Sequence, residues 1–330
     1  MTLYRSIFKQ AFVTAWQHKY LWFFGVFATL LASNFEIELV NRFLNRGETL
    51  FAWQRWAALG IFNGQAWSNL LELARTDTSS FISLLVFILI LIALFVALLW
   101  ISVVSQIALV SNANKAVASG KLTVAERRHD SSVGFQEGRK YFWKVLLLNL
   151  LVRLAVYGLA ALTLIPALFR TSPGVVDNLL YLVFFIVFIA IALSLALIAK
   201  YAIAALVIKR QTLGESLVSS WNLYWNNWLL SLEMAFILFG LSVAASIVIL
   251  LGLLIVAIPF ALLYLLSFAV GTFWIYIIFV TLAIIASLGL IIIGGSIITV
   301  VQTTAWVSLY NQLLGRTQLA SKLERTFGAK

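Results

Sequence analysis

The chain has 330 residues, a length that suggests two soluble domains until its composition is weighed. Hydrophobic residues make up 63% and charged residues 11%, less than half of the quarter or so that covers a soluble surface. That arithmetic excludes a soluble enzyme, a disordered chain, collagen and a coiled coil, and leaves a polytopic helical membrane protein. The net charge of +11, from 23 Lys and Arg against 12 Asp and Glu, reads as orientation and contact with anionic headgroups rather than nucleic-acid binding. With no cysteine, disulfides, thiolate metal sites and cysteine nucleophiles drop out as well.

Taken in chain order, the first apolar run is the short one. Residues 21–35 are charge-free over 15 positions, about 22 Å of helix against a hydrocarbon core of roughly 30 Å. Arg5, Lys9 and Lys19 ahead of it resemble a signal-peptide n-region. No clean small-x-small site follows Ala32, which favours a signal anchor over a cleaved peptide. Either reading puts residues 34–80 outside. There Ile37, Val40, Phe43 and Leu44, then Trp53, Trp56 and Leu59, then Trp67, Leu70 and Leu71 fall at helical spacing. Short amphipathic helices on the outer leaflet are expected from that pattern, with a lid or partner surface as the alternative.

Residues 81–114 form the second span, 145–169 the third with Arg153 inside it, and 178–199 the fourth. Between spans two and three, Glu126-Arg127-Arg128-His129-Asp130 reads as a solvated cytoplasmic loop. From 229 to 314 the only charge is Glu233, and the stretch is long enough for two spans. Pro259 is the expected break, giving spans at 229–257 and 272–314. The last is too long to stand upright, so it tilts, projects into the cytoplasm, or breaks at Gly294-Gly295; one continuous helix is preferred. Six spans with both termini cytoplasmic then put 17 Lys and Arg inside against 5 outside, the bias expected at a cytoplasmic membrane.

The chain also repeats itself. His18-Lys19-Tyr20-Leu21-Trp22, Arg139-Lys140-Tyr141-Phe142-Trp143 and Tyr224-Trp225-Asn226-Asn227-Trp228 stand before the three odd-numbered spans. In the even spans Ile101-Ser102-Val103-Val104 matches Ile298-Thr299-Val300-Val301, with Ala108/Ala305 and Ser111/Ser308 in step. The expected fold class is therefore all-α: a single integral membrane domain over 1–330, a transmembrane bundle of six spans. It is built as three helical-hairpin repeats (1–120, 121–211 and 212–330), each entered through a short interfacial amphipathic segment. Because each repeat enters from the same side, the repeats are parallel. Trp16, Trp22, Lys19, Tyr141, Trp143, Lys140, Trp225 and Trp228 are the expected interfacial anchors, rings in the headgroup layer with cations snorkelling to phosphate.

These aromatic lead-ins, the long even-numbered spans and the Gly120-Lys121-Leu122 turn resemble a diffuse group of bacterial multi-pass proteins of unknown function. The group includes the membrane domain that precedes the catalytic domain in some glycerophosphoryl diester phosphodiesterases. The resemblance covers nearly the whole chain and implies a stand-alone membrane module. The phosphodiesterase catalytic domain has no counterpart here, so that activity does not follow.

Ionisable and amide side chains at membrane depth are the candidate site, because each is costly there. They are Arg153, Glu233, Asn149, Gln106 and Gln302. Arg153 is expected to face the bundle interior and pair with Glu233, with Asn149 as neighbour; the bland role is to fix helix register and the functional one is a polar path. No HExxH, Gly-x-Ser-x-Gly, P-loop or paired membrane aspartates appear, and His18 and His129 stand away from any carboxylate cluster. No catalytic residues, metal or cofactor are expected. The function expected is a non-catalytic membrane protein that organises lipid, with anionic headgroups on the cytoplasmic side, or a membrane-protein partner. A transporter or channel around Arg153 and Glu233 is the alternative, and a lipid-modifying enzyme the third class, without an evident acid–base pair.

Overall fold

The computed structural model describes residues 2–31, 64–119, 124–168, 175–270 and 273–315. Among them every regular element is a helix: α1 (Thr2–Gln17), α2 (Tyr20–Leu31), α3 (Gln65–Thr76), α4 (Thr78–Ser119), α5 (Val124–Leu168), α6 (Val175–Ile208), α7 (Leu213–Asn226), α8 (Trp228–Val270) and α9 (Phe273–Gly315). A helix satisfies its backbone polar groups internally, which a chain this apolar needs once water is gone. Stretches of α4, α5, α6, α8 and α9 are long and apolar enough to cross a membrane, the character of a multi-pass membrane protein. The short first run is α2, and its 12 described residues account for about 18 Å of helix.

The chain divides into two compact units, residues 32–101 and the remainder. In the smaller unit α3 exposes Trp67 and Leu71, and Asp77 starts α4 by accepting the backbone N–H groups of Ser79 and Ser80, each at 3.2 Å. The expected amphipathic turns around Phe43 and Trp56 lie outside the described residues, as does the Gly120-Lys121-Leu122 turn.

In the larger unit burial is confined to one part of each long helix. The buried side chains of α4 run from Ser102 to Ala116, of α6 mostly from Ala192 to Val207, and of α9 from Ser296 to Leu313. Those of α5 lie near its other end, from Gly134 to Leu148 with Val156 beyond, and those of α8 from Leu230 to Leu238. Burial thus switches between C-terminal and N-terminal parts from one long helix to the next, as in an up-and-down path. The packed core joins Ile7 and Ala11 of α1, Phe24 of α2, Leu109 of α4, Tyr201 of α6, Met234 of α8 and Leu309 of α9.

One expected boundary moves, the break at Pro259: helix α8 runs through it to Val270. The last helix, α9, is continuous across Gly294-Gly295, as preferred. In lipid a full break strands several backbone groups without water, so a proline is accommodated inside the helix at lower cost. Gly294 serves packing instead, since a Cβ there would come within 2.8 Å of the Ile249 side chain. With Gly252 against Leu290 and Ser242 against Gln302, that contact makes α8 and α9 an antiparallel hairpin. The expected charged loop at 126–130 is also helical, as the first turns of α5.

The matched residues in the inner parts of α4 and α9 share their burial. Val103/Val300, Val104/Val301, Ala108/Ala305 and Ser111/Ser308 are all buried. Asn311 donates to Asn114 at 2.7 Å, and these two residues are separated by the same 197 positions as those pairs.

Candidate functional site

The row of α5 that packs inward is Gly134, Gly138, Tyr141, Val145, Leu148, Val152 and Val156, with Val152 only partly covered. Arg153 follows that row by one residue, a rotation of about 100°, and is exposed. The expectation of an inward-facing Arg153 therefore fails; the heptad-like row continues through Val152 and Val156 instead. Asn149 lies at the edge of the row and donates to Gln106 of α4 at 2.9 Å.

Glu233 is partly buried on α8, and the hydroxyl of Tyr4, near the start of α1, donates to its carboxylate. Burial first, and the bond to Glu233 second, push the Tyr4 hydroxyl well above the ordinary phenol range, so it keeps its proton and remains a donor. Gln302 of α9 donates to Ser242 of α8 at 2.5 Å. Among the described residues these hydrogen bonds join α4 to α5, α1 to α8, and α8 to α9.

Sequence reasoning missed the tyrosines. Tyr201 is buried on α6 with its hydroxyl 2.8 Å from Ser231, and its ring packs edge-on against Trp306 at 5.7 Å. Tyr224 meets Ser194 at 2.8 Å, joining α7 to α6. The ammonium of Lys200 sits 5.0 Å over the Trp306 ring. Tyrosines spread through apolar runs were the available signal, since a buried phenol needs a polar partner.

The anchors behave as two kinds. Trp16, Trp143, Trp225 and Trp228 are exposed, and Lys19 and Lys140 with them. Trp22 is partly covered, its indole N–H donating to the Ala15 carbonyl at 2.9 Å and its ring edge-on to Trp16. Tyr141 departs from expectation: it is buried, because it belongs to the inward row of α5, while Lys140 and Lys144 each stand 5.7 Å from its ring. His18 is buried where α1 ends, its Nδ1 donating to the Thr14 carbonyl at 3.1 Å.

Comparison of the chain with models of protein families, with curated proteins and with solved structures finds no match.

Proposed function

We propose that this is a non-catalytic protein of the cytoplasmic membrane, with six spans in three hairpin repeats and both termini inside, that organises lipid or a membrane-protein partner. One observation carries the reading. The most apolar 18-residue stretches of α4, α8 and α9 contain no buried residue at all. Ile90, Leu89, Ile255 and Val248 are among the large side chains left uncovered there. In a membrane such surface is solvated by acyl chains or by helices of another protein. A solute path would require polar side chains converging on a shared space, whereas Gln106, Gln302 and Glu233 are engaged with Asn149, Ser242 and Tyr4 between different helix pairs.

The three-repeat reading is supported by the shared character of α4 and α9, and by two similar lead-ins. Helix α1 breaks at His18-Lys19 before α2, and α7 breaks at Asn227 before α8. The second lead-in differs, since α5 runs through Tyr141 without a break.

Photo-crosslinking residues placed at Ile90 and Ile255 test the function in native membranes. Lipid adducts, or one adduct of defined protein size, are expected at both. Solute flux into proteoliposomes that is abolished by Gln302→Leu and Glu233→Gln would overturn the proposal in favour of a transporter. Reporter fusions after residues 76, 130, 174, 213 and 320 test the topology, with out, in, out, in and in expected. An outside signal at 320 would sink the placement of the C-terminus.

A further inference from the structure

Helix α7 carries three faces, and only one of them packs on the protein. Ser216, Ser220 and Tyr224 are buried, with Tyr224 held to Ser194 of α6. The side turned away is not uniformly polar, as it would be on an ordinary solvated helix. At about 100° per residue, Val218, Trp221 and Trp225 form one exposed stripe, and Glu215, Asn222 and Asn226 form a second beside it. Trp221 and Trp225 are stacked, rings 5.8 Å apart and 5° from parallel, and both are more than half exposed. A helix with its hydroxyl side against the protein and a tryptophan side left open is the reverse of a soluble arrangement.

The position of α7 says what covers that stripe. A single residue, Asn227, separates it from α8, and Trp228 begins a stretch that is long and apolar enough to cross a membrane. The junction is tied, with the Asn227 side chain donating to the Leu223 carbonyl at 3.1 Å and the Ser231 N–H to the Asn227 carbonyl at 3.0 Å. The tryptophan stripe is therefore held near the level at which α8 enters the membrane. Just ahead of α7, Lys209 and Arg210 are exposed; Arg210 stands 3.9 Å from the Glu137 carboxylate, and Lys209 is a cation suited to phosphate. Helix α1 has the same place ahead of α2 and exposes Phe12 and Trp16 beside Arg5 and Lys9.

We propose that α7 lies in the plane of the membrane surface as a lipid-binding helix. Its Val218–Trp221–Trp225 stripe sinks among the headgroups and upper acyl chains of an anionic phospholipid leaflet, and its Glu215–Asn222–Asn226 stripe faces water. Helix α1 docks in the same way through Phe12 and Trp16. An indole is amphipathic and prefers that layer, and interfacial helices of this kind bury their apolar side by about 5–10 Å. The inference rests on the reading of α8 as a membrane span.

The chain has no cysteine, so single-cysteine variants can be spin-labelled without background. Val218→Cys, Trp225→Cys and Trp16→Cys would be compared with Asn222→Cys and Asn226→Cys in vesicles of phosphatidylcholine and phosphatidylglycerol. Ile247→Cys and Leu254→Cys report on α8. The ratio of accessibility to oxygen over a water-soluble nickel chelate should be several-fold higher at 218, 225 and 16 than at 222 and 226, and highest at 247 and 254. If 247 and 254 read as lipid while 218 and 225 read as water, the in-plane helix is wrong and the span stands. If 218 and 225 are shielded from both reagents, another protein covers the stripe and the lipid assignment is wrong. If 247 and 254 themselves read as water, the membrane reading of α8 fails first. Val218→Cys is a small change, so its result stands even where a tryptophan variant folds poorly.

Discussion

The inner parts of α4 and α9 carry matching sequence and matching burial, yet their polar groups are treated differently. Ser111 of α4 donates to Glu137 of α5, while its counterpart Ser308 on α9 is buried with no hydrogen-bond partner among the described residues. Gln106 bonds forward to the helix that follows α4, and Gln302 bonds back to the helix that precedes α9. Glycines from other helices press on both, Gly138 of α5 on Val104 and Gly25 of α2 on Ser296 and Val300. The pattern of apolar and small residues decides which side of a helix is covered. The helix that happens to stand beside it decides whether a hydroxyl there is used.

The largest effects are expected where a neighbour's backbone touches each helix. A Cβ on Gly138 would come within 2.9 Å of the Val104 carbonyl, and one on Gly25 within 2.8 Å of the Ser296 carbonyl. Backbone cannot rotate aside, so Gly138→Ala and Gly25→Ala should each destabilise by about 1–3 kcal/mol. Gly294→Ala meets side chain rather than backbone, the Cδ1 and Cγ1 of Ile249, and should cost less; Gly240→Ala, with nothing within 4 Å, should be neutral or slightly stabilising. Unfolding in detergent and denaturant ranks the four. Equal losses at Gly240 and Gly138 would mean that close helix approach is not what these glycines provide.

A second test concerns the bond between equivalents. Asn114→Leu and Asn311→Leu should each be destabilising, by about 0.6–1.7 kcal/mol if the pair behaves like other hydrogen bonds between membrane helices. The double variant should lose less than the sum, because neither amide is then left without its partner. Strict additivity in the double-mutant cycle would show that the two amides do not interact, and the likeness of α4 and α9 would lose its only direct contact described above.

The serines separate the two helices most cleanly. Ser111→Ala removes a bond to a carboxylate and should cost about 1.5–3 kcal/mol. Ser308→Ala removes a buried hydroxyl that has no hydrogen-bond partner among the described residues, and should be neutral or stabilising. If Ser308→Ala is as damaging as Ser111→Ala, the Ser308 hydroxyl is bonded in the folded protein, to water or to residues beyond those described.

How legible this was follows from the same residues. The apolar runs announced the long helices, and the Val103/Val300 and Ser111/Ser308 correspondence announced their shared buried side, because both are local properties of the chain. Register around a helix was less secure. One residue, about 100°, separates Val152 in the inward row from exposed Arg153, and no run of Leu and Val marks that difference in advance. Partners were hardest to foresee. Tyr4 and Glu233 lie 229 residues apart, and only the folded arrangement of α1 against α8 brings them together. Pro259 misled for a related reason: its cost was judged as in water, where a broken helix can bond to solvent, rather than as in lipid, where it cannot.

The smallest effect concerns the far ends of the same two helices, where the likeness stops. Helix α4 begins with Asp77, whose carboxylate accepts from the hydroxyls of Ser79 and Ser80 at 3.0 and 2.6 Å as well as from their backbone N–H groups. The first turn of α9 has no acidic residue. The Ser80 hydroxyl above all, then the Ser80 N–H and the Ser79 hydroxyl, hold the Asp77 carboxyl below the ordinary aspartate range. A carboxyl depressed on folding contributes its stabilisation above the unfolded aspartate value and loses it as pH falls through the lower folded one. Amide exchange in the first turn of α4 should therefore speed up on acidification below the usual carboxylate range, while the first turn of α9 stays level once intrinsic exchange rates are corrected for. Asp77→Asn, which retains an oxygen acceptor but cannot ionise, should flatten the pH dependence at α4. The group is solvent-exposed, so the change should stay local to that turn and leave global unfolding nearly unmoved. A first turn of α4 whose protection does not change with pH would show that the carboxylate is not holding the helix start, and the contrast between the two outer ends would then have to come from the apolar residues alone.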